Sequence, residues 1–216
     1  MFGYSVLRAS QKKEYLNDVF NLAGNITVNR GLRSMQQVAR DIENSKISQI
    51  IYPLMQIVDI KHLSIDLVQS GIEQRKIHAL GIENFSLINY KIPVFVHTPL
   101  ISSLKGPGKM SSSEKESFIS IRDNENDIMD KLNKAYCLTG EIENNSVLQI
   151  SKLIIFPRIK EFKIERDKKY GGNLVFNDYK ELEQEFKLKK IHPLDLKKSV
   201  GNYLVDILEP IRKSFK

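Results

Sequence analysis

Cysteine occurs once, at Cys137, which excludes an intramolecular disulfide framework and a zinc site built on several thiolates. Long apolar runs are also missing. The longest, such as residues 153–156, fall far short of the roughly 20 residues of a membrane span, so no membrane partner is expected. The opening Met1-Phe2-Gly3-Tyr4-Ser5 lacks a basic stretch followed by an apolar one and reads as no secretory signal. The expected compartment is the cytoplasm. No internal repeat or low-complexity tract is evident, and no His, Asp and Glu grouping has metal-ligand spacing.

What remains is globular in composition, with 41% hydrophobic and 27% charged residues, which argues against wholesale disorder. The 33 Lys and Arg outnumber the 26 Asp and Glu, giving a net charge of +7. The excess falls on both sides of Leu104 rather than in a tail. A spread of this kind suits a polyanion that touches both parts of the chain, or equally a Lys-rich solvated surface.

Apolar positions at helical spacing run through residues 7–23 and 32–43, separated by Gly24-Asn25 and Gly31, and predict two helices. A longer stretch from 47 to about 63 predicts a third, bent near Pro53. Residues 65–68 form a short apolar run ending at Ser70-Gly71, a helical segment covers 73–80, and 93–97 is a second β-rich run. Strand, helix and strand in that order predict a parallel βαβ unit. Residues 98–114, with Pro99, Gly106, Pro107, Gly108 and several serines, are expected to form a loop, and 118–121 a short strand. Helices are predicted over 125–136, 146–155, 178–186 and 194–208, with Asn177 and Pro193 near the last two starts. The expected domains are residues 1–122 and 123–216.

Three constellations carry chemistry. The first is Gly106-Pro107-Gly108-Lys109-Met110-Ser111-Ser112-Ser113. Its glycines allow close backbone approach, while Lys109 and the serines offer a charge and donors to a phosphate during transfer. The spacing is not that of a Walker loop, and by composition alone the segment reads as a flexible linker. It resembles the Lys-Met-Ser-x-Ser signature of class I aminoacyl-tRNA synthetases.

The second runs from Tyr52 through Pro53 to Gln56 and Asp59, which places a phenol, an amide and a carboxylate on one helix face. Gly71-Ile72-Glu73-Gln74-Arg75-Lys76-Ile77-His78 follows at a strand end and helix start, where open α/β sheets bind ligands. With the Lys109 loop, these segments resemble the tyrosyl-tRNA synthetases of the archaeal and eukaryotic type. The resemblance covers nearly the whole chain. Gln69-Ser70 departs from it, because relatives have glycines there.

That resemblance implies an α/β fold: part of a Rossmann-like parallel sheet with helices, followed by a mostly α-helical anticodon-binding domain. It implies tyrosine–tRNA ligase activity on L-tyrosine, ATP with Mg²⁺ and tRNA(Tyr), with no prosthetic group, by a homodimer. Tyr52, Gln56 and Gln74 are implied around the substrate's amino group, and Asp59 as acceptor for its hydroxyl. Lys109, Met110, Ser111 and Ser112 are implied at ATP, with Lys109, Ser111, Ser112 and Ser113 acting in catalysis.

The third constellation is Tyr170-Gly171-Gly172 with His192-Pro193-Leu194-Asp195. Single-stranded RNA is read by stacking on aromatics and by bonds to base edges. The resemblance implies that Tyr170 and His192 flank the first anticodon base and that Asp195 bonds its edge. Taken alone, Asp195 reads as a helix cap and Tyr170 as a turn aromatic. Arg33 and Lys76 are implied near the first base pair of the acceptor stem. Cys137 is expected to be a small packed thiol. The class's second signature, His-x-Gly-His, is not found among His62, His78, His97 and His192. The expectation is therefore a chain lacking the N-terminal half of the ATP site and inactive alone, the alternative being a non-catalytic tRNA-binding or partner-dependent module.

Overall fold

The computed structural model describes residues 13–37, 44–111 and 113–215. By packing, the chain divides into two compact units, Met1–Leu100 and Ile101–Lys216. The boundary expected near residue 122 lies inside the second unit, because the segment that follows Leu100 packs with the later helices.

The first unit opens with α1 (Lys13–Asn25), α2 (Val28–Met35) and α3 (Ile47–His62). The earliest residues of the helix expected over 7–23 and the end of that expected over 32–43 lie outside the described residues. Thr27 caps α2 by accepting from the Arg30 amide. α3 runs unbroken through Pro53, whose missing N–H leaves the Gln49 carbonyl without its intrahelical donor. Its C-terminus closes with Ser64 at a positive φ of 54° and the Ile65 amide bonded back to the Ile60 carbonyl, a Schellman closure. That closure takes up Ile65, so β1 is Leu67–Gly71 rather than 65–68. A 3₁₀ turn, Ile72–Gln74, leads into α4 (Arg75–Asn84), and β2 is Val94–Thr98. β1 and β2 pair in parallel from Leu67↔Val94 to Gly71↔Thr98, as the βαβ reading predicts. Tyr15, Leu22, Ile57, Val58, Leu80, Phe85 and Ile88 form the core between α1, α3 and α4.

In the second unit the predicted strand at 118–121 does not form. The Ser120 amide donates to Asp123 and the Asp123 amide returns a bond to the Ser120 carbonyl, which makes a turn. α5 (Glu125–Lys134) begins with an Asn124–Asp127 capping box. The helix expected over 146–155 is α6 (Ser146–Ile150), continued by a π turn at Ser151–Ile155. There the Ser151 hydroxyl bonds the Val147 carbonyl one turn back, a contact that loosens helices. A small antiparallel hairpin, β3 (Phe162–Ile164) with β4 (Leu174–Phe176), is an element that the sequence reading omits. α7 (Tyr179–Lys187) and α8 (Pro193–Lys213) complete the unit, α8 extending beyond the predicted 208. Leu132, Leu148, Phe162, Phe186, Leu196 and Val200 lie at the centre of its core.

Candidate functional site

α3 brings the expected helix-face residues into one row. Tyr52 is 53% exposed, and Gln56 and Asp59 are half-buried one and two turns further on. Gln74, in the turn after β1, faces Gln56, whose Nε2 donates to Gln74 Oε1 at 3.4 Å. The same Nε2 lies 3.4 Å from Nε2 of His78. An amide nitrogen can only donate, so His78 accepts there, carries its proton on Nδ1 and donates to His97 Nε2 at 2.9 Å. His78 is 2% exposed, and burial, then the neighbouring His97, pushes its pKa down to about 4. It is neutral at physiological pH. With its nitrogen engaged, Gln56 leaves Oε1 buried and without a partner, and Glu73 Oε2 is in the same condition. Buried acceptors without donors are uncommon and call for a ligand or water that supplies them.

Asp59 has a partner that sequence reasoning missed. The hydroxyl of Tyr15, on α1, donates to Asp59 Oδ1 at 2.7 Å. Burial raises the pKa of both groups, while the Tyr15 hydrogen bond and His62 act to lower that of Asp59. Oδ2 is bonded by no described residue. Gln69 and Ser70, the departures from the expected glycines, are absorbed in the strands: Gln69 donates to the Thr98 hydroxyl, which donates to the Ser70 carbonyl.

Arg33 and Lys76 come together. With Arg30, Ser34, Gln36 and Ala79 they line a concavity of about 190 Å³, where Lys76 Nζ donates to Gln36 Oε1 at 2.6 Å.

In the second unit the Lys109 loop is anchored at both ends. Ser102 and Lys109 form an antiparallel bridge, the Ser103 amide bonds the Gly108 carbonyl, and Leu104, buried in the core, bonds the Ser117 carbonyl. Gly106 and Gly108 hold φ of 119° and 127°, values that side-chain-bearing residues rarely adopt. The Ser117 hydroxyl, 1% exposed, accepts from the Ser111 amide at 3.0 Å and lies 3.0 Å from its carbonyl. Ser111 and Ser113 share a hydroxyl–hydroxyl bond of 2.7 Å. Met110 is half-buried in the same loop, and Ser112 lies outside the described residues.

Tyr170, His192 and Asp195 line one cavity of about 490 Å³. The cap of α8 is His192, whose Nδ1 accepts from the Leu194 amide at 3.2 Å. Asp195 is therefore not the cap, and among the described residues its half-buried carboxylate has no hydrogen-bond or ion-pair partner. Tyr170 ends a turn that Gly171 and Gly172 close at positive φ, with Lys169 Nζ 4.8 Å from its ring centre. Sequence reasoning missed Arg166, Lys189 and Lys190, which add positive charge to the cavity. Among 33 Lys and Arg they carry no distinguishing signal. Arg166 also donates to the Gly172 and Lys190 carbonyls, tying the Tyr170 turn to the segment before His192. Cys137 is the packed thiol expected, buried beside Asn145.

Among the described residues, no cluster of three or more His, Cys, Asp or Glu could hold a metal ion, and no helix is long and apolar enough to cross a membrane.

A helix-borne polar row beside a parallel strand end, an anchored Lys-Met-Ser loop and a cavity in a helical unit fit an aminoacyl-tRNA synthetase. The chain belongs to the class I tRNA synthetases of the W and Y family, whose model matches residues 7–209. Within that class it is similar to curated tyrosine–tRNA ligases. It is 44% identical over 200 residues to that of Methanosarcina mazei, covering 93% of this chain and 62% of the relative. Identity to the Archaeoglobus fulgidus ligase is 46% over 201 residues. The crystal structure of the A. fulgidus tyrosyl-tRNA synthetase complexed with L-tyrosine superposes with a TM-score of 0.81 at 45% identity, covering 94% of this chain and 63% of that one. The Pyrococcus horikoshii enzyme, also complexed with L-tyrosine, gives 0.83 at 33% identity, with 95% and 63% covered. The chain thus spans about 62% of the length of the curated relatives it matches.

Proposed function

We propose that a complete enzyme containing this chain activates L-tyrosine with ATP and transfers the tyrosyl group to tRNA(Tyr). The tyrosine carboxylate attacks the α-phosphorus of ATP, supplied as its Mg²⁺ complex, and pyrophosphate leaves. A terminal ribose hydroxyl of the tRNA then attacks the acyl carbon and AMP leaves. The observation that carries the reading is the row on α3 facing Gln74. A buried unpartnered Gln56 Oε1 suits a substrate ammonium, and Asp59 Oδ2, one turn further along the same face, suits a phenol. Tyr52 completes the amino-group end.

Lys109, Met110, Ser111, Ser112 and Ser113 are assigned to ATP, the lysine and serines stabilising charge on the transferring phosphates. Preorganised donors serve this purpose best, and the Ser117 anchor supplies the preorganisation. Arg33 and Lys76 are assigned to the acceptor stem. Tyr170 and His192 are assigned to stacking on the first anticodon base, and Asp195 to its edge. Residues 1–122, which take in the first unit and the Lys109 loop of the second, are assigned to the catalytic part with its dimer and acceptor-stem helices, and residues 123–216 to the anticodon-binding part. The working unit is a cytoplasmic homodimer.

The test is aminoacylation by the full-length protein with labelled amino acids. Tyrosine is expected to be charged onto tRNA(Tyr) in an ATP-dependent manner. Charging with tryptophan in its place, or no charging with tyrosine, contradicts the reading.

A further inference from the structure

We propose that Tyr15 is a positioning residue for tyrosine selection: its hydroxyl fixes the Asp59 carboxylate in one rotamer and leaves a single oxygen, Oδ2, for the substrate's phenol. The proposal rests on the reading of Asp59 as the hydroxyl's acceptor.

Tyr15 is held at both ends. Its side chain is 1% exposed, packed in the core of the first unit with its ring 5.3 Å from that of His62 at a tilt of 58°. Its hydroxyl lies 2.7 Å from Asp59 Oδ1 and 3.3 Å from the Met55 carbonyl, one turn earlier on α3. A second contact fixes the helix that carries it. Asp18, three residues along α1, accepts from Lys61 Nζ and His62 Nε2, each at 2.7 Å. α1 is thereby pinned to the C-terminal turn of α3, and the phenol oxygen is placed by that clamp rather than by its own rotamer. An unrestrained half-buried aspartate would sample several orientations. With Oδ1 held, Oδ2 points one way, and a group bound in advance to the orientation it needs loses less entropy on binding.

Two phenols donating to one carboxylate require it to be ionised. Among the described residues, Tyr15 on α1 and His62 on α3 act on Asp59, and His62 in turn faces Asp18, which also binds Lys61. Burial favours the protonated acid, and the Tyr15 bond and His62 oppose it. Removal of the hydroxyl therefore raises the pH at which Asp59 takes up a proton and ceases to be a free acceptor.

The test is Tyr15→Phe in the full-length protein, a change that removes one oxygen and no packing volume. Amino-acid-dependent ATP–pyrophosphate exchange is measured with tyrosine and with phenylalanine across the acid range. The kcat/KM for tyrosine is expected to fall about tenfold, mostly through KM, as for loss of a hydrogen bond to a charged group. The value for phenylalanine, which offers no hydroxyl, is expected to stay within about twofold, since a ring without a donor makes no bond to lose. The acid limb of the tyrosine profile moves to higher pH. Equal losses with both substrates and an unmoved acid limb mark a structural defect and overturn the proposal, as does unchanged tyrosine preference. A wild-type enzyme with no preference for tyrosine over phenylalanine removes the Asp59 reading itself, and the Tyr15 proposal with it.

Discussion

His78 is buried as a neutral imidazole between Gln56, His97 and Phe95, and this has a consequence for stability. Its pKa lies at about 4 in the folded protein against an ordinary 6.5. The unfolded chain therefore binds the proton more readily, and acid favours unfolding. The contribution is present in full above about pH 6.5 and lost as pH falls toward 4. Urea unfolding midpoints should drop between about pH 7.5 and pH 5 by the equivalent of on the order of 1–2 kcal/mol, and His78→Gln should flatten that slope. An identical slope in the variant would place the acid sensitivity elsewhere. Asp195 makes a separate residue-scale case. With His192 as the helix cap, the Asp195 carboxylate is left for the cavity. Asp195→Ala should weaken tRNA charging by about 1–3 kcal/mol, the value of a lost base-edge contact in DNA readout, while leaving pyrophosphate exchange within about twofold. Equal damage to both assays would show a structural role.

At the scale of elements, Ser117 carries the Lys109 loop. Ser117→Ala leaves the Ser111 amide without its acceptor, and a lost partner of this kind costs about 1–3 kcal/mol. The variant should show a raised KM for ATP in pyrophosphate exchange with the KM for tyrosine unchanged. An unchanged KM for ATP would mean that the loop holds its shape without this anchor. Neither Ser117 nor Tyr15 is legible in the sequence. Ser117 is one serine among several, and Tyr15 is an aromatic at a core position, 44 residues from the carboxylate it serves. The row of Tyr52, Gln56 and Asp59 is legible, because helical spacing fixes which residues share a face. The βαβ pairing is legible as well, because its apolar runs flank a helix. What failed is local: the Schellman turn that takes up Ile65, the Asp123 carboxylate that turns 118–121 away from a strand, and a hairpin whose strands are three residues long. Each depends on one side chain or one closing bond, below the reach of periodicity.

At the scale of the whole molecule, positive charge lies in both units, around Arg33 and Lys76 in one and Arg166, Lys189 and Lys190 in the other. That distribution suits one long polyanion, and tRNA affinity should fall steeply with salt. Apolar residues also remain outside. Leu16 and Phe20 on α1 are exposed, Phe20 by 68%, and exposed apolar surface of this kind marks association sites. Sedimentation of the full-length protein at micromolar concentration should give a dimer, and Phe20→Lys should shift it toward monomer. A monomeric wild type would contradict the homodimer. In the proposed function, tyrosine is selected through the Asp59 carboxylate. The most direct test is Asp59→Ala in amino-acid-dependent pyrophosphate exchange. Sites built to bond a hydroxyl, tyrosine-activating enzymes among them, reject the analogue lacking it by about 10⁴–10⁵. The variant is expected to lose most of that preference for tyrosine over phenylalanine, and a preference left at its wild-type value would rule out Asp59 as the selecting group.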